Sequence, residues 1–200
     1  MNTTYAAKAP AVYRLVGTGI LTALVIVLQV FASGIRIGPF TPTLTLIPII
    51  IGAVLYGPLT GAFLGAVFGL VVVIAVISGA EPFSLLMLNM NPVATVLTCL
   101  IKGAVAGFFP GLVYKLISPK NSIVALLAAA LVAPIANTGI FCAAMLTIFR
   151  PLLESTAEGA NPVTFLLVAF VGINFLFELL FDIILAPVVV RILNAIRKNG

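Results

Sequence analysis

A few strongly polar side chains stand inside stretches of sequence that are otherwise apolar, and they are the residues best placed to do chemistry. Lys102 lies well inside the apolar stretch 93–117, and a charge deep in a membrane costs about 3 kcal/mol on insertion scales. Asn137, Asn174 and Glu178 stand in similar surroundings. Such residues usually face a partner, a cavity or a ligand rather than lipid.

Two interpretations of these groups are open. In the first, Lys102 pairs with Glu178 and the asparagines satisfy backbone groups at helix breaks, because a buried charge needs a partner. In the second, the groups line a pocket open to the outside, where Lys102 attracts an anion and the asparagine amides supply directed donors and acceptors. Convergent polar groups in an apolar cavity are typical of small-molecule sites. The aromatic side chains that are candidates for the lining are Phe40, Phe83, Phe141 and Phe175.

The composition indicates an integral membrane protein. The 200 residues are 62% hydrophobic and 8% charged, with a mean hydropathy of +1.32, whereas soluble domains carry about 25% charged residues. We expect one integral membrane domain over residues 1–200, in the cell membrane, without a second, soluble domain. Residues 1–10 lack the order of a cleaved signal peptide, so the first apolar run is expected to be retained.

Six apolar stretches predict an all-α membrane protein, a six-transmembrane-helix bundle. A span needs about 20 apolar residues, so the second stretch is too short for a straight crossing. Pro48 and the Gly57-Pro58 pair predict that it is bent or irregular. The predicted spans are 12–32, 44–56, 59–78, 93–117, 122–149 and 163–192.

The charges at the segment ends predict the orientation. The net charge of +5 comes from basic residues at the start of the first span, between the fourth and fifth spans, and at the end of the chain. By the positive-inside rule both termini are cytoplasmic. The connections 33–43, 79–92 and 150–162 then face outward.

The predicted spans place the polar side chains at comparable depths. With a rise of about 1.5 Å per residue, Lys102 lies about 14 Å, Asn174 about 16 Å and Asn137 about 18 Å below the outer ends of their spans. Asn174, Glu178 and Asp182 follow i, i+4, i+8 and share one face. These groups are therefore expected to meet in the outer half or near the middle of the bundle.

Small residues recur at intervals of four in three predicted spans. Such stripes let helix backbones approach closely in lipid. Two interpretations are open, namely packing inside the bundle and a surface that docks another membrane subunit. The stripes are Gly19 and Ala23, then Gly61, Gly65 and Gly69, then Gly103, Gly107 and Gly111.

Enzymatic signatures are absent from the sequence. It has no His, no metal-binding motif, no nucleophile elbow and no Gly-rich phosphate loop. We therefore expect neither an enzyme nor a metal site or cofactor, and any ATP hydrolysis would need partner proteins. A solitary ion- or proton-coupled carrier that titrates Glu178 and Asp182 is one alternative. A non-transport membrane scaffold that uses the glycine stripes is another.

A set of motifs spreads over nearly the whole chain. The predicted outer loop 38–42 reads Gly-Pro-Phe-Thr-Pro and precedes the Gly-rich run 47–65. Asn91-Pro92 is followed by Lys102-Gly103 and Tyr114-Lys115. In this combination, with its size and span count, the chain resembles the substrate-binding (S) components of energy-coupling factor (ECF) vitamin transporters.

The resemblance implies a function and partners. S components bind a vitamin or related micronutrient from outside, dock on a transmembrane coupling subunit that carries two ATPases, and reorient to deliver the substrate. In the family a small-residue pattern in the first span contacts the coupling subunit. Gly19 and Ala23 fit that pattern, but Val27 follows, so the glycine stripe of the third span is a further candidate for docking.

Within the family the sequence looks most like the pantothenate-type members, on its Gly-Pro-Phe loop and its Asn-Pro and lysine in the fourth span. Pantothenate has a carboxylate, which suits Lys102 and a second contact from Arg36, and polar groups that suit the asparagines. Glu178 suits an anion only if it pairs with Lys102 or accepts from substrate hydroxyls, so riboflavin-, folate- and thiamin-precursor-type S components are alternatives. The predicted substrate-binding residues are Lys102, Asn137, Asn174, Asn91, Glu178, Arg36 and Phe40.

Overall fold

The computed structural model describes residues 11–33, 45–157, 159–168, 172 and 180. Every regular element in this part of the chain is a helix. Four of them, α1, α3, α5 and α6, are long and apolar enough to cross a membrane. In chain order the helices are α1 (Ala11–Ser33), α2 (Leu46–Tyr56), α3 (Pro58–Ile77), α4 (Pro82–Met90), α5 (Pro92–Ile117), α6 (Ser122–Thr147), α7 (Arg150–Thr156) and α8 (Pro162–Phe165).

The helices α1, α2, α3, α5 and α6 begin and end close to the bounds predicted for the first five spans. The sixth predicted span, 163–192, begins in α8, and most of it lies outside the described residues. The all-helical membrane architecture is thus confirmed for the described part. The count of six spans and the cytoplasmic position of both termini stay predictions.

The second element is short, as predicted, but the predicted irregularity is wrong. α2 is an α-helix throughout its 11 residues, which rise about 16 Å, about half the thickness of a hydrocarbon core. Pro48 lies in its first turn, where a backbone N–H has no intrahelical acceptor, so the helix loses no bond. The chain turns at Gly57, whose φ of +98° is a conformation that side chains disfavour, and α3 begins immediately afterwards.

The antiparallel helices α3 and α5 approach each other through their backbones. A Cβ atom on Gly61 would meet the carbonyl group of Gly107, and one on Gly65 would meet that of Gly103. One turn further along, Gly69 lies against the backbone of α5 as well. These glycines therefore pack inside the bundle, and α5 covers the α3 stripe that was also considered as a docking surface.

The connections 79–92 and 150–162, which were predicted to be outward-facing loops, contain the short helices α4 and α7. Apolar side chains from these helices and from the adjacent ends of α5 and α6 pack together at one end of the bundle. We call this set the end cluster; it consists of Met87, Ala94, Ala144, Met145, Phe149, Leu153 and Leu166. An ion pair between Arg150 Nε and Glu154 Oε1, at 2.8 Å, joins the first and second turns of α7.

The opposite end of the bundle carries basic residues. Arg14 near the start of α1 donates from Nη2 to the carbonyl of Tyr56 at 3.1 Å. Lys115 lies in the last turn of α5, and Lys120 follows in the turn that leads to α6. This asymmetry between the two ends agrees with the charge pattern from which the orientation was predicted.

Candidate functional site

Lys102 on α5 lies beside aromatic rings from two neighbouring helices. Its Nζ atom is 6.0 Å from the ring centroid of Phe68 on α3 and 5.8 Å from that of Phe141 on α6. Both distances fall within the range of about 6 Å over which a ring face attracts a cation. Phe68 is 1% exposed, whereas Lys102 and Phe141 are half-buried. Three helices thus meet at this ammonium group.

The surroundings of Lys102 suit an anionic ligand. Among the residues that the structure describes, no carboxylate or hydroxyl oxygen bonds to its Nζ atom. Ring faces attract the cation but offer no strong hydrogen-bond acceptor, and an ammonium group has three donors. Glu178, the predicted internal partner, lies outside the described residues, so the pairing with Lys102 stays a prediction.

Helix α6 contributes a polar pair on the face that carries Phe141. Asn137 is 4% exposed and Thr138 is 8% exposed, and both lie one turn before Phe141, hence on the same side of the helix. In the described part of the chain, nothing forms a hydrogen bond with the hydroxyl of Thr138. Leaving a buried hydroxyl unsatisfied costs about 1–3 kcal/mol. Asn137 was predicted from the sequence to join the site, whereas Thr138 was not.

Asn91 has a structural role as the N-cap of α5. Its Oδ1 atom accepts from the backbone N–H of Ala94 at 3.1 Å, a bond that satisfies one of the free donors at the helix start. Its backbone carbonyl accepts from the hydroxyl of Thr95 at 2.9 Å. The side chain is exposed at the end of the bundle that carries the end cluster, so a substrate contact would be made by its amide NH₂ group.

A buried polar pair that was not predicted joins α1 to the start of α2. Thr45 donates from Oγ1 to Oε1 of Gln29 at 3.3 Å, and both side chains are buried. The sequence did contain a signal, because Gln29 is a polar residue inside the apolar run of the first span. No comparable signal marks Phe68, which is one apolar residue among many in α3.

Several predicted site residues lie outside the described part of the chain. Their participation in the site stays a prediction. They are Arg36, Phe40, Asn174 and Glu178, together with Phe175 and Asp182.

Helix α1 packs with one face and exposes the other. Leu21 and Val25 are buried against the rest of the bundle. Gly19 and Ala23, the small residues predicted to dock a partner, lie on the exposed side together with Val27. A Cβ atom on Gly19 would meet nothing within 4 Å. This small-residue face is uncovered, unlike the one on α3.

Comparisons with known proteins agree with the resemblance. The family described as "ECF transporter, substrate-specific component" matches residues 13–190. The chain is 31% identical over 192 residues to the pantothenic acid transporter PanT of Lactococcus lactis subsp. cremoris (strain MG1363), and the match covers 90% of this chain and 93% of the relative. No solved structure matches the chain.

Proposed function

Because the chain belongs to the family of ECF transporter substrate-specific components, we propose that it is the subunit that binds pantothenate for an ATP-driven importer. The similarity to a protein named as a pantothenic acid transporter supports this choice of vitamin. The structural observation that supports the proposal most directly is the environment of Lys102 in α5. Its ammonium group lies near two ring faces, and no carboxylate in the described part of the chain pairs with it. A substrate carboxylate would complete this arrangement.

Lys102 binds the carboxylate of pantothenate through a charge-assisted hydrogen bond, worth about 1.5–3 kcal/mol. Asn137, buried on the adjacent helix, offers an amide that can both donate to and accept from the hydroxyl and amide groups of the substrate. Thr138 offers a hydroxyl from the same face. The further proposed contacts, which come from the sequence, are Asn91, Asn174, Glu178, Arg36 and Phe40.

The proposed partners follow from the family. Its members work with a transmembrane coupling subunit and two ATPases, which would supply the ATP hydrolysis. We place the docking surface on the exposed face of α1, around Gly19 and Ala23, because small residues allow another helix to approach closely in the membrane.

A ligand screen tests the choice of vitamin. The purified protein in detergent is melted with pantothenate, riboflavin, folate or thiamin, since a ligand present at 100 times its Kd stabilises the folded state by about 2.7 kcal/mol. We expect pantothenate to raise the Tm and the other vitamins to leave it unchanged. Stabilisation by one of the others, with no effect of pantothenate, would replace the proposed substrate.

An uptake assay tests the mode of transport. Labelled pantothenate is offered to cells that carry this subunit with or without the coupling subunit and the ATPases. We expect uptake only when all of the partners are present. Uptake that persists without them and collapses with a proton uncoupler would identify a solitary carrier instead.

A further inference from the structure

The two rings beside Lys102 come from two different helices, neither of which is the helix that carries the lysine. Phe68 belongs to α3 and is buried in the main core, whereas Phe141 belongs to α6 and packs at the edge of the end cluster. Both lie about 6 Å from the same Nζ atom. The ammonium group is therefore within cation–π range of two rings that belong to two different packed regions of the bundle.

Lysine is a poor anchor unless something holds it. Its charge sits on a flexible four-carbon stem, and in a membrane helix such a stem tends to bend toward the interface. A carboxylate partner would hold the ammonium but would also neutralise it and occupy its donors. Ring faces hold it through their quadrupoles and leave the N–H groups for a ligand.

We propose that Phe68 and Phe141 are positioning residues that hold the Lys102 ammonium for the substrate carboxylate and so make the site select anionic over neutral ligands. The inference rests on the proposed function, because it concerns the same site. A positioning role of the rings differs from plain packing in one measurable respect. Loss of a ring that only fills space weakens charged and neutral ligands alike, whereas loss of a ring that positions the ammonium weakens the charged ligand alone.

The test compares pantothenate with pantothenol, in which an alcohol replaces the carboxylate. Phe141 is the better target because it is half-buried, whereas Phe68 is sealed in the core. Phe141→Leu should weaken pantothenate binding about fivefold or more and change pantothenol binding less than about twofold. Phe141→Tyr keeps the ring and should restore pantothenate binding. Phe109→Leu is the matched control. Phe109 is an exposed phenylalanine of α5, and its replacement should leave both affinities unchanged.

A double-mutant cycle with Lys102→Met separates the possible outcomes. In the Lys102→Met background, Phe141→Leu should no longer affect pantothenate binding, because the ammonium through which the ring acts is gone. Equal losses for both ligands, or the same loss with and without Lys102, would overturn the positioning role while leaving the proposed function intact. Wild-type protein that binds no pantothenate would overturn both.

Discussion

Two aromatic rings lie beside the charge of Lys102. No carboxylate in the described part of the chain does so. A buried ion pair must repay the desolvation of two ions, whereas ring faces add attraction without a second ion. Within the described part of the chain, an anion that reaches Lys102 would therefore have no ion pair to break. The proposed contact with pantothenate follows from this difference.

Thr138 gives a prediction at the same scale. Its buried hydroxyl has no partner in the described part of the chain, so Thr138→Val removes an unsatisfied polar group with little change in shape. We expect the free energy of unfolding of the ligand-free protein to rise by about 1 kcal/mol or more. In a chain of this length that corresponds to a Tm higher by about 2–4 °C, measured by thermal melting.

Thr98 provides the matched control. It is 6% exposed, close to Thr138, but its hydroxyl donates to the carbonyl of Ala94 at 2.7 Å. Thr98→Val should therefore leave the Tm unchanged or lower it. A fall in Tm for Thr138→Val as large as that for Thr98→Val would show that the Thr138 hydroxyl is satisfied.

At the scale of the elements, the crossing of α3 and α5 is the most sensitive contact. A Cβ atom at Gly65 would overlap the backbone carbonyl of Gly103, and backbone cannot yield as the end of a flexible side chain can. We expect Gly65→Ala to destabilise the protein by about 1–3 kcal/mol, seen as a lower Tm and poorer recovery of folded protein from detergent.

Gly19→Ala is the corresponding control on α1. A Cβ atom there meets nothing within 4 Å, and alanine favours a helix over glycine by about 1 kcal/mol. The Tm should stay the same or rise. A Gly65→Ala variant as stable as the Gly19→Ala variant would contradict the close backbone contact.

The sequence predicted the elements better than their contacts. Hydropathy located α1, α2, α3, α5 and α6, because a long apolar run has few alternatives to a helix in lipid. It missed α4 and α7, since the Gly, Pro, Asn and Ser residues around them favour loops. The spacing of the glycines identified the close-packing face of α3, but spacing alone does not say whether the neighbour belongs to the same chain.

For the proposed site, too, the sequence did not show which residues lie in contact. Lys102 and Asn137 were predicted because polar residues in apolar spans are rare and costly, and Phe141 was named as a candidate lining residue. Phe68 and Thr138 were not predicted. An aromatic residue or a hydroxyl is common in membrane helices, and only the packing of α3, α5 and α6 distinguishes these two from their neighbours.

At the scale of the whole molecule, binding and docking are expected to occupy different surfaces. The Lys102 site lies between helices, whereas Gly19 and Ala23 lie on the exposed face of α1. Ala23→Trp should abolish uptake by blocking close approach of the coupling subunit and leave pantothenate affinity within about twofold of wild type, since the site is not touched. Uptake and binding are measured on the same variant.

Leu70→Trp supplies the control for bulk, because Leu70 is an exposed residue of α3. It should preserve both uptake and binding. Normal uptake by the Ala23→Trp variant would remove α1 from the docking surface.

The most direct test of the proposed contact between Lys102 and the substrate carboxylate is a calorimetric titration of pantothenate into wild-type protein and the Lys102→Ala variant. Lys115→Ala serves as the control, since Lys115 is exposed at the basic end of the same helix. We expect Lys102→Ala to weaken binding at least tenfold, because it removes a charge-assisted hydrogen bond worth about 1.5–3 kcal/mol. Lys115→Ala should have no effect. Unchanged affinity in a folded Lys102→Ala variant would contradict the contact between Lys102 and the substrate carboxylate.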